Sequence, residues 1–474
     1  MQVRGAKMRV EERMTESEAA ALDKVPLRVT NPQRIPSKRY YDAAFFELER
    51  ERFWPHVWQM ACRLEEIPEI GDYAEYKILD KSVIIVRTKS GVKAFSNACR
   101  HRGVQLVMER GNCKNSGFIC PFHGWRWNME GQNTFIYGKR IFDEENLQAA
   151  ELNLVPVRVE LWGGSAFINL DDDAPPLREC LGPVAERMES RNLENLRVEG
   201  WWAFELPTNW KLAMEAFMEG YHVMRTHPQL FQKQTEDMAG YFGADVTGKV
   251  PMKEETAEEY LAKTVSLLER LHTGMAGMVL QSEIAIAERL RKEHAGGDVA
   301  TVGKIFNRRV KEEIYAKGKA KGLPVPDLNA AEEKHPYYSV EYMFPHYFLL
   351  PYYSGMSSYR IRPLTPETCY FELWSLAFLP EDAERITEPT VLPIDSPEIP
   401  EIPRQDYSNL PRQQLGLHAK GFEYMRLSHQ MEGMISNYQR LIDGYLAGLD
   451  HQKLGKAQNT VNQAFNGPIF DLGF

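Results

Sequence analysis

Apolar residues recur at a period of two in one stretch of this chain and at helical spacing in another, and the change falls near residue 172. Between residues 51 and 172, short β-branched and aromatic runs are broken by turn residues. Tyr73–Leu79, Ser82–Thr88 and Val92–Ser96 read as strands, with hairpin turns at Asp80-Lys81 and Ser90-Gly91. Val155–Leu161 and Ser165–Asn169 add two more, joined through Gly163-Gly164. Residues 1–50 read as a polar arm ending in a helix, Tyr41–Arg52, that leads into Phe53-Trp54-Pro55. Asp171-Asp172-Asp173-Ala174-Pro175-Pro176 reads as an exit linker.

Residues 173–474 read as α+β. Trp201–Leu206 alternates like a strand, and Asn209–His222 is predicted to be a helix. Residues 228–340 form a long, charged, mostly helical insertion, with helices at Glu254–Leu271 and Ser282–His294 and a mobile loop at Lys317–Pro324. Tyr338–Leu350, Ser357–Pro363 and Thr368–Pro380 are aromatic and β-rich, as expected of a sheet wrapped round a pocket. The Pro-rich stretch 389–403 is predicted to be a loop, and Tyr424–Leu449 a terminal amphipathic helix.

The 474 residues suffice for two domains. Composition is that of a globular protein, 43% hydrophobic and 26% charged, which allows a sizeable core. A net charge of −9 argues against nucleic acid or an anionic membrane as partner. The first residues carry charges throughout and show no secretory pattern. The most apolar region, Tyr342–Tyr359, contains Pro345, His346 and Pro351 and is too short to span a bilayer. Six scattered cysteines fit a reducing cytoplasm, with Cys62, Cys113, Cys180 and Cys369 as buried or free thiols.

The other two cysteines belong to a pattern. Cys99-Arg100-His101 is followed, after 18 residues, by Cys120-Pro121-Phe122-His123-Gly124-Trp125. Two thiolates and two imidazoles suit a [2Fe–2S] cluster with both Cys on one iron and both His on the other, the Rieske arrangement. Tetrahedral zinc also takes two Cys and two His, but zinc fingers pair Cys with Cys and His with His. Here each loop supplies one of each, with Gly124, Trp125, Trp127 and Gly131 as turns and apolar cover. Such a centre passes single electrons, so an acceptor is required.

His222 and His227 lie within Asn209-Trp210-Lys211…Glu215…Glu219-Gly220-Tyr221-His222…His227-Pro228. Five residues apart, they do not share a helical face, so the helix must end or distort for both to reach one metal. Iron(II) oxygenases use two His and one carboxylate on one face of the metal. A mononuclear iron is the natural acceptor for the upstream cluster.

These motifs, in this order over nearly the whole length, make the chain resemble the catalytic α-subunit of a Rieske non-haem iron oxygenase, the ring-hydroxylating oxygenase family. The resemblance implies a Rieske domain (51–172) inserted into a helix-grip catalytic domain (173–474, with the 1–50 arm packing on it), in which an antiparallel sheet grips a long helix. It implies one [2Fe–2S] cluster on Cys99, His101, Cys120 and His123, and one Fe(II) per chain. The family's Asp, followed eight residues on by Gln-x-Gly-Leu, matches Asp406 and Gln414-Leu415-Gly416-Leu417. His222, His227 and Asp406 are therefore the expected iron ligands, with Glu432 and Asp443 as fallbacks. Glu219 stands where the family usually has Asp, as the carboxylate linking an iron-ligating histidine to a cluster histidine of a neighbouring subunit. Ala216 replaces an Asn that often follows Glu215. The Glu variant also occurs in members acting on quaternary amines.

The resemblance further implies a head-to-tail homotrimer and a separate reductase or ferredoxin, since the chain has no Gly-rich flavin or nicotinamide fingerprint. The expected reaction is O2-dependent hydroxylation of an aromatic or other apolar ring compound. The same-family alternative is O- or N-demethylation or oxidation of a quaternary amine, with a cation cage drawn from Tyr347, Tyr352 and Tyr353. A pure electron carrier is the reading from another class. Expected pocket residues are Phe217, Met218 and Met224 beside the ligands and Tyr347, Phe348, Tyr352 and Tyr353 on the strands. Met275, Met278 and Leu280 line an apolar channel or simply pack.

Overall fold

The computed structural model describes residues 14–230, 256–293, 296–462 and 467–474. Part of the 1–50 arm, most of the first third of the 228–340 insertion and the first residues of the Glu254–Leu271 helix lie outside them, as does the Met224 side chain.

The N-terminal β-domain is a seven-stranded sheet. Its spatial order is Gln59–Arg63, Ser165–Asn169, Pro156–Trp162, Gly91–Ser96, Lys81–Thr88, Asp72–Ile78 and Arg110–Asn112, with antiparallel neighbours. The first two hairpin turns sit one residue earlier than the sequence suggests. Ile78 pairs with Lys81, so Leu79-Asp80 form the turn, and Leu79 takes φ 52°. A three-stranded ribbon, Phe118–Ile119, Arg126–Trp127 and Asn133–Phe135, carries the second Cys/His loop. A separate apolar cluster containing Ile84, Val86, Phe95, Phe118, Trp125 and Trp127 lies under both loops.

The C-terminal domain is built on a six-stranded sheet ordered Glu341–Met343, Tyr347–Pro351, Met356–Thr365, Thr368–Ala377, Arg197–Leu206 and Thr390–Val391. All pairs are antiparallel except the last. Pairing sets which residues share a face. Phe348, Tyr359, Phe371 and Phe204 come to one side, whereas Tyr347, Arg360, Glu372 and Trp374 come to the other.

The second side meets the β-domain. The Phe167 ring packs 6.1 Å from that of Tyr347, and Arg110 lies over Trp201. Arg360 is buried, forked onto Glu372 at 2.7 Å through both Nε and Nη2, and it also donates to the Met60 carbonyl. His346 Nε2 accepts from the Met60 N–H at 3.1 Å, and burial pulls this imidazole down to about 3, so it is neutral in this role.

Four sequence expectations change. The helix from Asn209 covers only Trp210–Glu215 and does not reach His222. The Glu219 carboxylate captures the His222 N–H at 3.1 Å, a side-chain bond that competes with the helical ladder. Lys317–Ala320 are not a loop but the end of the helix Val299–Ala320, where Gly318 lets Val325 approach its backbone. In the Pro-rich stretch, Thr390–Val391 is a strand and the helix Glu401–Gly416 begins early, with Pro403 tolerated in its first turn. Tyr424–Leu449 is not one helix. Tyr424–Arg426 pairs with Arg34–Pro36 of the arm, and the helices Gly433–Leu446 and His451–Val461 follow.

The buried fork makes a stability prediction. Arg360→Leu strands Glu372 at the junction with only Arg362 as counter-charge, and should cost about 3 kcal/mol in chemical unfolding. Arg360→Lys should restore little of it, because an ammonium cannot fork onto a carboxylate. A loss below about 0.5 kcal/mol would show that the fork contributes nothing net.

Candidate functional site

Two equivalent turns build the tip of the β-domain. The Cys99 carbonyl accepts from Gly103 N–H at 2.9 Å, and the Cys120 carbonyl accepts from Gly124 N–H at 3.0 Å. Both glycines take left-handed conformations, φ 77° and 70°, that other residues resist. Asn97 steadies the first loop, accepting from Leu106 and Val107 N–H and donating to the Val107 carbonyl.

Within this frame the Cys99 and Cys120 thiols contact each other, and burial pushes the Cys99 thiol up. The His101 and His123 rings meet edge to face at 4.8 Å, and His101 stacks on Trp125 at 4.9 Å. His101 Nδ1 is buried with no hydrogen-bond partner among the described residues. An unpaired imidazole nitrogen beside a second imidazole and two buried thiols suits a [2Fe–2S] group with two Cys and two His ligands. A partnerless ring nitrogen is otherwise costly to bury.

In the other domain, His222, His227 and Asp406 offer one ligand atom each within 4.8 Å of one another. Asp406 Oδ1 lies 3.0 Å from His227 Nε2 and 3.5 Å from His222 Nε2. His222 caps the start of the short helix Val223–Thr226 and His227 its end, so the break in the preceding helix turns both rings to one point. Asp406 comes from the helix Glu401–Gly416 and is buried there.

Each imidazole is held from behind. Glu219 Oε1 lies 2.6 Å from His222 Nδ1, and Gln405 Oε1 lies 2.7 Å from His227 Nδ1. Both partners are acceptors, so each Nδ1 donates to them, which leaves each Nε2 as the atom that would bind a metal shared with Asp406. Burial pulls the His222 imidazole down, but the Glu219 bond and the charges of Glu219 and Asp406 outweigh it and push it up. Two neutral imidazoles and a carboxylate suit a divalent iron with open positions.

Phe217 adjoins the site, its ring 5.0 Å from Tyr359, 5.5 Å from Phe348 and 6.0 Å from Phe371. Tyr347 is one residue from Phe348 and faces the β-domain instead, because neighbouring strand residues point oppositely. Tyr352 and Tyr353 pack on each other, and the carbonyls of both accept from Arg191. Met218 is fully buried in the core. Met275 touches Tyr359, its Sδ 3.9 Å from the hydroxyl. Asp443 is paired with Arg39, and Glu432 accepts from Ser428 N–H.

Gln405 escaped the sequence reading because a lone amide has no spacing motif, although it sits beside a candidate ligand. So did the network under Glu215. Tyr40 donates to that carboxylate at 2.9 Å, and Gln439 and Arg39 extend the network to Asp443. Ala216, Glu215, Glu219 and Glu432 line a cleft of about 650 Å³.

A two-cysteine, two-histidine tip in one domain and a two-histidine, one-carboxylate cluster in the other are the donor sets of the class of two-centre Rieske proteins. The chain belongs to the ring-hydroxylating oxygenase α-subunit family: the profile "Ring hydroxylating alpha subunit (catalytic domain)" matches residues 193–448, and "Rieske [2Fe-2S] domain" matches residues 57–136. It is 36% identical over 213 residues to the 2-aminobenzenesulfonate 2,3-dioxygenase α-subunit of an Alcaligenes species, covering 44% of this chain and 53% of that one. Against the carnitine monooxygenase oxygenase subunit of Escherichia coli it is 31% identical over 204 residues, 42% and 54% of the two chains. The match thus spans about half the length of these curated relatives. The fold is shared with a naphthalene 1,2-dioxygenase bound to phenanthrene, at TM-score 0.60 and 19% identity over 93% and 98% of the two chains. It is also shared with a quaternary ammonium Rieske monooxygenase described in connection with inter-subunit electron transfer, at TM-score 0.56 and 19% identity over 88% and 97%. Among the described residues no helix is long and apolar enough to cross a membrane.

Burial holds the Glu215 carboxyl up at about 7 against an ordinary value of 4.5. Folding therefore takes up a proton there, so the group's contribution is complete below 4.5 and is lost as pH rises through about 7. Relative to wild type, Glu215→Gln should gain stability across that window, on the order of 3 kcal/mol at most, in urea unfolding of the metal-free chain. Parallel pH curves for the two proteins would refute the assignment.

Proposed function

We propose that the chain is a terminal oxygenase subunit that takes electrons from a separate reductase or ferredoxin and uses O2 to hydroxylate an aromatic or other apolar ring substrate. The observation that carries the reading is the presence in one chain of the Cys99/His101/Cys120/His123 tip and the His222/His227/Asp406 cluster. The four tip residues hold a [2Fe–2S] cluster, and the three others hold Fe(II). When bound, these groups supply one-electron transfer and the reductive activation of O2.

The chain's own residues set the conditions for that chemistry. Glu219 and Gln405 keep the Nδ1 protons of His222 and His227 and so direct both Nε2 atoms to the metal. Asp406 supplies the neutralising carboxylate. Phe217, Tyr359, Phe371 and Phe348 form a dry wall against which an aromatic substrate stacks and from which water is excluded. Glu219 also lines the cleft with Glu432, where it accepts the imidazole edge of a neighbouring copy in a head-to-tail trimer. Exposed Phe122 beside His123 and the apolar Leu417 and Phe422 of the cleft are complementary for that contact. The working compartment is a reducing cytoplasm.

The second reading is a monooxygenase acting on a methylated quaternary amine. It is favoured by Glu219 in the bridging place and by aromatic walls able to face a cation. Oxygen uptake with an aminobenzenesulfonate and with a trimethylammonium compound separates the two.

The decisive measurement is iron content with electron paramagnetic resonance on protein prepared without air. Wild type should hold about three irons per chain, and His222→Ala about two with the reduced Rieske signal intact. Two irons in both proteins after reconstitution would reduce the chain to an electron carrier.

A further inference from the structure

The cluster-bearing stretch is charged oppositely to the chain. Residues 91–135 carry six cationic side chains against Glu109 and Glu130, within a chain of net charge −9. These cations do not all serve one face. Arg110 is spent at the domain junction, on Glu66 and over Trp201. Arg102 lies over the Phe122 ring, beside His123, on the imidazole edge. Arg100 turns elsewhere. Its Nε donates to the Glu151 carbonyl at 2.8 Å, and its side chain lines a separate cavity of about 490 Å³.

That cavity lies on the flank of the β-domain. Phe95, Leu154 and Val157 form its apolar part and Lys93 and Arg100 its cationic part, with Glu130 already bonded to Lys93. Val155, on its rim, is exposed. Arg100 is covalently next to Cys99, so a group seated there is one residue from a cluster ligand. In the proposed trimer the imidazole edge is occupied by the next copy, and electrons must enter by another side.

We propose that this flank cavity is the docking surface for the electron donor, an acidic one-electron carrier protein that inserts an apolar side chain between Lys93 and Arg100. The inference rests on reading Cys99, His101, Cys120 and His123 as cluster ligands. The step is a simple transfer: one electron leaves the carrier's reduced centre, one iron of the cluster gains it, and no bond is made or broken. Opposite charge steers the encounter, and the apolar floor gives it a fixed seat.

The test uses full-length reconstituted protein and a plant-type [2Fe–2S] ferredoxin as the probe, whose potential lies below the Rieske range. Stopped-flow absorbance reads the rate of cluster reduction, and calorimetry reads binding of the oxidised ferredoxin. The wild-type rate should fall steeply with salt. The double variant Lys93→Glu/Arg100→Glu should lose at least about tenfold in rate and in affinity, and its salt dependence should flatten. Dithionite should still reduce it fully, with the wild-type resonance signal, which excludes damage to the fold. Arg100→Lys should keep most of the rate, and Arg102→Glu should stay within about twofold of wild type. The proposal is overturned if the double variant is reduced at the wild-type rate, if Arg102→Glu carries the loss, or if ferredoxin does not reduce the wild type. Absence of any Rieske signal in the wild type would instead remove the cluster reading on which it rests.

Discussion

Two histidines five residues apart reach one carboxylate oxygen because the helix that begins at Asn209 ends at Glu215. Continued as a helix, the chain would point His222 and His227 to different sides, and Asp406 would meet one of them at most. Glu219 enforces the break and uses it. One carboxylate oxygen takes the His222 backbone N–H while the other holds its ring, so the residue that ends the helix also fixes the imidazole tautomer. Beneath it, Glu215 ties the last helical turn to Tyr40 of the arm and to Gln439, so the N-terminal segment and the helix Gly433–Leu446 share in placing the site.

The two domains are joined on the same economy of faces. The large sheet meets the Rieske domain through Arg360, Glu372, His346 and Tyr347. On its reverse it presents Tyr359 and Phe371 to the side of Phe217 and the His222, His227 and Asp406 cluster. Buried charge at the junction is matched: the Arg360 guanidinium lies between Glu372 and the Met60 carbonyl, and His346 stays neutral. Such a junction specifies orientation more than it adds stability.

What could be read from the sequence was local. The two Cys/His loops announce their chemistry in a few adjacent residues, and the strands around them follow from alternation that tertiary packing did not override. His222 and His227 carried a weaker signal, and reading them as a pair already required a helix to break. The helix holding Asp406 was hidden by Pro400, Pro403 and Pro411, which mark a loop in isolation but are accommodated in the first turn and later in Glu401–Gly416. Likewise, Tyr424–Arg426 reads as helical until the arm strand Arg34–Pro36 supplies it a partner. Gln405 and Tyr40 were illegible for another reason: their roles exist only across contacts between distant segments.

The opposed faces of the large sheet also separate two histories of change. Tyr347 and Phe348 are neighbours in the chain, yet one belongs to the seam between domains and the other to the aromatic wall around Phe217. Replacements at Phe348, Tyr359 or Phe371 can reshape that wall while the seam stays intact, and the seam can drift without altering the wall. A scaffold divided in this way lets selection rework one face a strand position at a time, with the other face left undisturbed.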